Sequence, residues 1–200
     1  MKRIVLAGIL GGIAMFLWMF VAHVILPLGE TGISEIPTEQ PVLAAMQGQI
    51  GTRSGLYLFP GMGLGPNATR AQKNAAMKDY EQKLATTPSG LLLYHPPGNK
   101  GITPARLGTE FLFEVVESLL LVFLLAKARI STFGGRLGFA TAAGLLAAIP
   151  TNASYWNWYG FPANYTQAYM FIQFVGFICV GLIAGWMLKC EADRGMAARA

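Results

Sequence analysis

Apolar residues gather in four stretches along this chain, and polar residues gather between the first two. The stretches run from about Ile4 to Leu28, Phe111 to Ala128, Leu137 to Thr151, and Tyr165 to Leu188. A helix rises about 1.5 Å per residue, so about twenty residues cross a hydrocarbon core. The first and fourth stretches exceed that length. The second suffices if its glutamates are accommodated. The third is short, with Pro150 near its end, and spans if Thr151 to Tyr155 prolong it. The first opens with Lys2 and Arg3, as a signal peptide does. Its apolar run is too long for one and no small-x-small site follows, so it is expected to stay as an anchor.

Between the first two stretches the pattern changes. Val42, Leu43, Met46 and Ile50 recur at helical spacing, predicting a helix over Glu39 to Ile50. Gly55 to Phe59 and Leu91 to Tyr94 read as short strands, each stopped by proline and glycine. Ala68 to Ala85 reads as a helix capped by Asn67. The two strands echo each other, SGLYLFPG against SGLLLYHPPG, and a helix lies between them. The simplest arrangement is a β-α-β unit with parallel strands. Such a segment holds only a small core. The GMGLGP run after the first strand lacks phosphate-loop spacing and reads as a turn.

The expected fold class is therefore a mainly α membrane protein. It is a four-transmembrane-helix bundle with a small α/β extracytoplasmic insertion between helices 1 and 2. The expected divisions are residues 1–28, helix 1; 29–108, the insertion; 109–188, helices 2 to 4; and 189–200, a cytoplasmic tail. Composition agrees: hydrophobic residues make up 54% and charged residues 12%, about half the usual charged share. The mean hydropathy is +0.45, which disfavours an ordinary soluble enzyme.

Charge changes the picture by orienting the spans. The net charge is +5, but the basic residues form no stripe, so no nucleic-acid partner is expected. Lys2 and Arg3 precede the first stretch. Lys127, Arg129 and Arg136 separate the second and third. Lys189, Arg194 and Arg199 follow the fourth, and the loop from Ser154 to Asn164 is uncharged. Short basic loops stay inside, so both termini are expected in the cytoplasm of a cytoplasmic (inner) membrane, bacterial by its compact form. Cys179 and Cys190 suggest no disulfide framework.

Candidate chemistry lies where polar residues interrupt the apolar stretches. His23 sits near the end of the first. Glu110, Glu114 and Glu117 open the second. Thr151 and Asn152 end the third, and Gln167, Tyr169 and Gln173 open the fourth. With alternating orientation all fall in one leaflet. The glutamates are spaced i, i+4, i+7, within about 60° of one helix face. A charge in hydrocarbon costs about 2.5–3.5 kcal/mol on insertion scales, so this stripe must face the bundle or water. The candidate polar cluster is His23, Glu110, Glu114, Glu117, Asn152 and Gln173. No Glu-x-x-His motif accompanies it, so no cofactor is expected and a metal is a minor alternative. Tyr155, Trp156, Trp158, Tyr159, Phe161 and Tyr165 crowd the 3–4 loop, an interfacial belt or, alternatively, an aromatic wall around a ligand, with the first four as candidate partner contacts. Glycines four apart, at Gly8 and Gly12, Gly134 and Gly138, and Gly181 and Gly185, predict close helix packing.

No catalytic signature appears, so the chain is not expected to be an enzyme. The leading expectation is a non-catalytic membrane scaffold or accessory subunit. It would engage a partner, a larger membrane complex or a second copy of itself, through the extracytoplasmic segment and the aromatic loop. The alternative is a small membrane enzyme or a ligand- or metal-binding protein whose polar site includes His23, Glu114 and Glu117. A transporter component is the weaker alternative, because the opposite halves of the spans are apolar.

Overall fold

A computed structural model describes residues 1–188. The basic residues Lys189, Arg194 and Arg199, Cys190 and the proposed tail lie outside the described residues. The structure is mostly helical with one two-stranded sheet. It divides into two compact units: Met1–Ile33 together with the chain from Ile102 onward, and Ser34–Gly101.

The first unit is a helical bundle. Helix α1 (Lys2–Phe20) runs into a π-helical turn (Val21–Ile25) and, after Pro27, a 3-10 turn (Leu28–Glu30). Three further helices in this unit, here numbered α4 to α6, are Pro104–Lys127, Phe133–Tyr159 and Ala163–Met187. Among the described residues, three helical segments are long and apolar enough to cross a membrane: Lys2–Ile25, Phe133–Tyr159 and Ala163–Met187. Helix α4 has the length, with 24 residues, but carries Glu110, Glu114 and Glu117 in its central stretch. Helix α5 does not stop near Pro150. It continues to Tyr159 and ends at Gly160, whose φ of 70° is the left-handed conformation glycine adopts freely. Tyr155, Trp156, Trp158 and Tyr159 therefore lie on the last turns of α5. The expected 3–4 loop shrinks to Gly160–Pro162.

Small residues set the packing. A Cβ at Gly12 would come within 2.6 Å of Val115 Cα, and one at Gly181 within 2.6 Å of Ala140 Cβ. Gly8 meets Leu119, Gly11 meets Ser118 and Val180, and Gly144 meets Phe177. These pairs run in opposite directions along the sequence, so α1 is antiparallel to α4 and α6, and α5 is antiparallel to α6. Helix α4 packs chiefly on α1, α1 on α6, and α6 on α5. Among the described residues, nothing lies within 4 Å of a Cβ built at Gly134 or Gly138, so no close helix contact forms at this pair, contrary to its spacing. Trp18 Nε1 donates to the Ile172 carbonyl at 2.7 Å, tying α1 to α6.

Arg136 is buried at the end of the bundle where α4 joins α5. Its guanidinium donates to the carbonyls of Ile130, Ser131 and Gly185 at 2.9 to 3.1 Å. One cation thus closes the α4–α5 connection and satisfies a carbonyl in the last turn of α6, where a helix dipole favours positive charge. The outer faces are apolar. On α4 this face comprises Leu112, Phe113, Val116, Leu120, Phe123 and Leu124, all exposed.

The second unit holds α2 (Glu39–Ile50), β1 (Gly55–Phe59), α3 (Arg70–Thr86) and β2 (Gly90–Tyr94). The cap of α3 is Thr69 rather than Asn67. Thr69 Oγ1 accepts from the Gln72 amide while Gln72 Oε1 accepts from the Thr69 amide, a complete capping box. The strands pair antiparallel, Gly55 opposite Tyr94 and Phe59 opposite Gly90, which corrects the parallel expectation. A parallel crossover is held by a helix packed on its sheet. Helix α3 buries no residue, so nothing enforces the parallel return. The unit's buried residue is Tyr94, whose ring meets Tyr57 edge-on and whose hydroxyl donates to the Gly51 carbonyl at 2.9 Å.

Candidate functional site

The side chains that line a polar cavity in this unit come from all four bundle helices. Because neighbouring helices are antiparallel, the C-terminal halves of α1 and α5 and the N-terminal halves of α4 and α6 lie at one end. Lys2, Arg3, Lys127, Arg129 and Arg136 lie at the opposite end. The cavity occupies about 350 Å³, within the usual range for small-molecule sites.

Each helix contributes one face. Helix α4 supplies Glu110, Glu114 and Glu117, one side of its stripe. Helix α5 supplies Thr151, Asn152 and Tyr155. Helix α6 supplies Tyr165, Tyr169, Ile172 and Gln173, at i, i+4, i+7 and i+8. Met15 and Met19 of α1 give an apolar surface beneath them. The apolar face of α4 is thereby turned outward and its carboxylates line the cavity.

Within the cavity the polar groups differ in how they are held. Asn152 Nδ2 donates to the Ala148 carbonyl at 2.8 Å and reaches Gln173 Oε1 at 3.5 Å, a link between α5 and α6. Glu110 and Glu117 are exposed along the open side. Glu114 is only 6% exposed, and its Oε2 has no hydrogen-bond partner. A buried carboxylate oxygen without a partner is costly. The rings of Tyr165 and Tyr169 stack at 4.3 Å, Phe161 meets Tyr165 at 5.4 Å, and Tyr155 meets Phe161 at 5.2 Å. Together they build an aromatic wall.

Of the six residues in the candidate polar cluster, Glu110, Glu114, Glu117, Asn152 and Gln173 line this one cavity. His23 does not line it. Its ring lies on the far side of Tyr169, edge-on at 6.0 Å, with Nδ1 3.0 Å from the Met19 carbonyl. A carbonyl only accepts, so that nitrogen carries the proton. Gly29 packs directly on the imidazole, and its carbonyl accepts from the Tyr169 hydroxyl at 3.3 Å. His23 therefore helps seat Tyr169 and the turn after α1. Its position within a π turn, an element frequent at functional sites, brings it near the cavity wall without entering it.

Of the aromatic candidates, Tyr155 lines the cavity, whereas Trp156, Trp158 and Tyr159 are exposed, Trp158 at 79%. Ile172 is not among the candidates from the sequence; Tyr169 is among its polar residues and Tyr165 among its aromatic ones, but neither belongs to the candidate polar cluster. Their spacing with Gln173 marks one helix face, by the same rule that united the glutamates. Met15 and Met19, also one turn apart, read equally well as core. Among the described residues, no three His, Cys, Asp or Glu side chains converge closely enough to hold a metal ion. The glutamate stripe is extended along α4, Glu117 standing about 10 Å from Glu110 by helical rise.

No protein-family model, curated protein or solved structure matches this chain.

Proposed function

We propose that this protein is a multi-pass membrane protein of four spans that binds a small polar molecule or a lipid headgroup in the cavity between its helices. The observation that carries this reading is the roughly 350 Å³ cavity lined by all four helices, with the buried Glu114, whose Oε2 has no hydrogen-bond partner, in its wall. The reading takes α4 as the fourth span, since its outward face is apolar along its length and its glutamates face the cavity. The basic end is cytoplasmic by the positive-inside rule. The cavity then opens in the outer leaflet, and Ser34–Gly101 is extracytoplasmic.

Two measurements test this. Single cysteines at Ser131 and Gly160, in a background without Cys179 and Cys190, should react with a membrane-impermeant maleimide from opposite sides. Labelling of both from one side overturns the topology. Mass spectrometry of small molecules and lipids released from the purified protein should find a species that the cavity-filling variant Gln173→Trp fails to retain. An identical profile from the folded variant overturns the binding reading.

A scaffold or accessory subunit is the second reading. It is favoured by an apolar face of the small sheet, where Leu56, Leu58 and Leu93 are all exposed, and by the exposed Trp156 and Trp158. Native mass spectrometry in mild detergent should then reveal a stoichiometric protein partner or a second copy.

A further inference from the structure

Resting on the cavity reading above, we propose that the occupant is a cation, an amine or quaternary ammonium group seated between the Glu114 and Glu117 carboxylates and the rings of Tyr155, Tyr165 and Tyr169.

Charge is the first argument. The residues lining the cavity include three glutamates and no lysine, arginine or histidine. Its other polar side chains, those of Thr151, Asn152, Gln173 and the tyrosines, are neutral. An anionic ligand would meet uncompensated carboxylates. A neutral one could at most donate a hydrogen bond and would leave the charge of Glu114, only 6% exposed and with Oε2 unpartnered, uncompensated. A cation supplies the opposite charge, and a protonated amine can in addition donate a hydrogen bond to the carboxylate, which a quaternary ammonium, having no N–H, does not.

The aromatic wall is the second argument. Tyrosine rings attract cations through their faces, and clustered rings around a carboxylate suit ammonium groups in particular. Here Tyr165 and Tyr169 are stacked at 4.3 Å, and Tyr155 is joined to them through Phe161. Size separates an organic cation from a bare ion. The space is about 350 Å³, and its acidic side chains do not converge on a single point. The Met15, Met19 and Ile172 side chains offer an apolar surface for the hydrocarbon part of such a ligand.

The same chemistry is presented by a free amine and by an ethanolamine or choline headgroup, so the test has two arms. The full-length protein is reconstituted into phosphatidylglycerol nanodiscs and titrated calorimetrically with benzylamine, benzyltrimethylammonium, benzyl alcohol and benzoate. In parallel, native mass spectrometry follows lipid retention from discs of equal phosphatidylethanolamine and phosphatidylglycerol. The expected result is at least tenfold tighter binding of a cationic probe than of benzyl alcohol, or selective retention of phosphatidylethanolamine. Glu114→Gln should weaken whichever is seen at least tenfold, and Gln173→Trp should abolish it. Cationic probes alone point to a free amine, and phosphatidylethanolamine alone to a lipid. Equal or tighter binding of benzyl alcohol or benzoate, lost in Gln173→Trp, overturns the cation assignment and leaves the cavity reading standing. Retention of no probe and no lipid overturns both. If Glu114→Gln does not fold, the comparison of isosteric probes on the unaltered protein decides the charge preference, and Glu117→Gln replaces it in the second step.

Discussion

Replacing Gly12 by alanine tests the bundle at its tightest seam. The added Cβ would lie 2.6 Å from Val115 Cα, 2.9 Å from Val115 Cγ2 and 3.0 Å from Val115 N. Carbon atoms in contact normally stand about 3.5–4.0 Å apart, so α1 and α4 must separate by about 1 Å. The obstruction is backbone, and no rotamer change relieves it. Overpacking of this kind costs about 1–3 kcal/mol. It is opposed by the helix-propensity gain from glycine to alanine, about 0.8–1.0 kcal/mol. Gly138 supplies the control, since it sits in a helix with open space where a Cβ would go. The propensity gain is common to both substitutions, so the difference between Gly12→Ala and Gly138→Ala isolates the steric cost, about 1–3 kcal/mol. Gly181→Ala, whose Cβ would lie 2.6 Å from Ala140 Cβ, should behave as Gly12→Ala does. Equilibrium unfolding in mild detergent, followed by helical circular dichroism, measures all three. Because Val115 adjoins Glu114, the Gly12 variant should also perturb ligand retention. Equal stabilities for the Gly12 and Gly138 variants would refute the close approach of α1 and α4.

Two further outcomes are expected. Arg136→Lys should destabilise the bundle by at least about 1.5 kcal/mol, the lower end for a charged hydrogen bond, because a lysine cannot reach three carbonyls in a fixed fork; a thermal unfolding midpoint equal to that of the unaltered protein would contradict it. Thr69→Ala removes the capping box of α3 at a cost of about 1 kcal/mol, so amide exchange within Arg70–Thr86 should quicken about fivefold while exchange in α5 and α6 is unchanged.

The sequence pattern reaches furthest where a single helix decides the outcome. The i, i+4, i+7 spacing of Glu110, Glu114 and Glu117 placed them on one face, and that face lines the cavity. Helix α2 and both strands begin and end within a residue of their expected limits. The prolongation past Pro150 that the third span required is present, since α5 runs on to Tyr159. Asn67 misled because Thr69 has Gln72 three residues ahead to complete its capping box. The echo between the two strands carried no information on direction. Strand direction depends on what covers the sheet, and α3 covers nothing.

His23 marks the boundary most clearly. Its polarity, its depth and its place near the end of the first apolar stretch were all legible, and they grouped it with the glutamates. Which way its ring turns depends on Gly29 and Tyr169, residues 6 and 146 positions away. The apolar stretches, their alternation, the basic end and the acidic stripe follow from hydropathy and helical period, which are local properties of the chain. The cavity, the aromatic wall and the unpartnered Glu114 oxygen exist only once four helices meet. Glycines such as Gly12 and Gly181 set how near those helices come, and no local property of the chain specifies the gaps left between them.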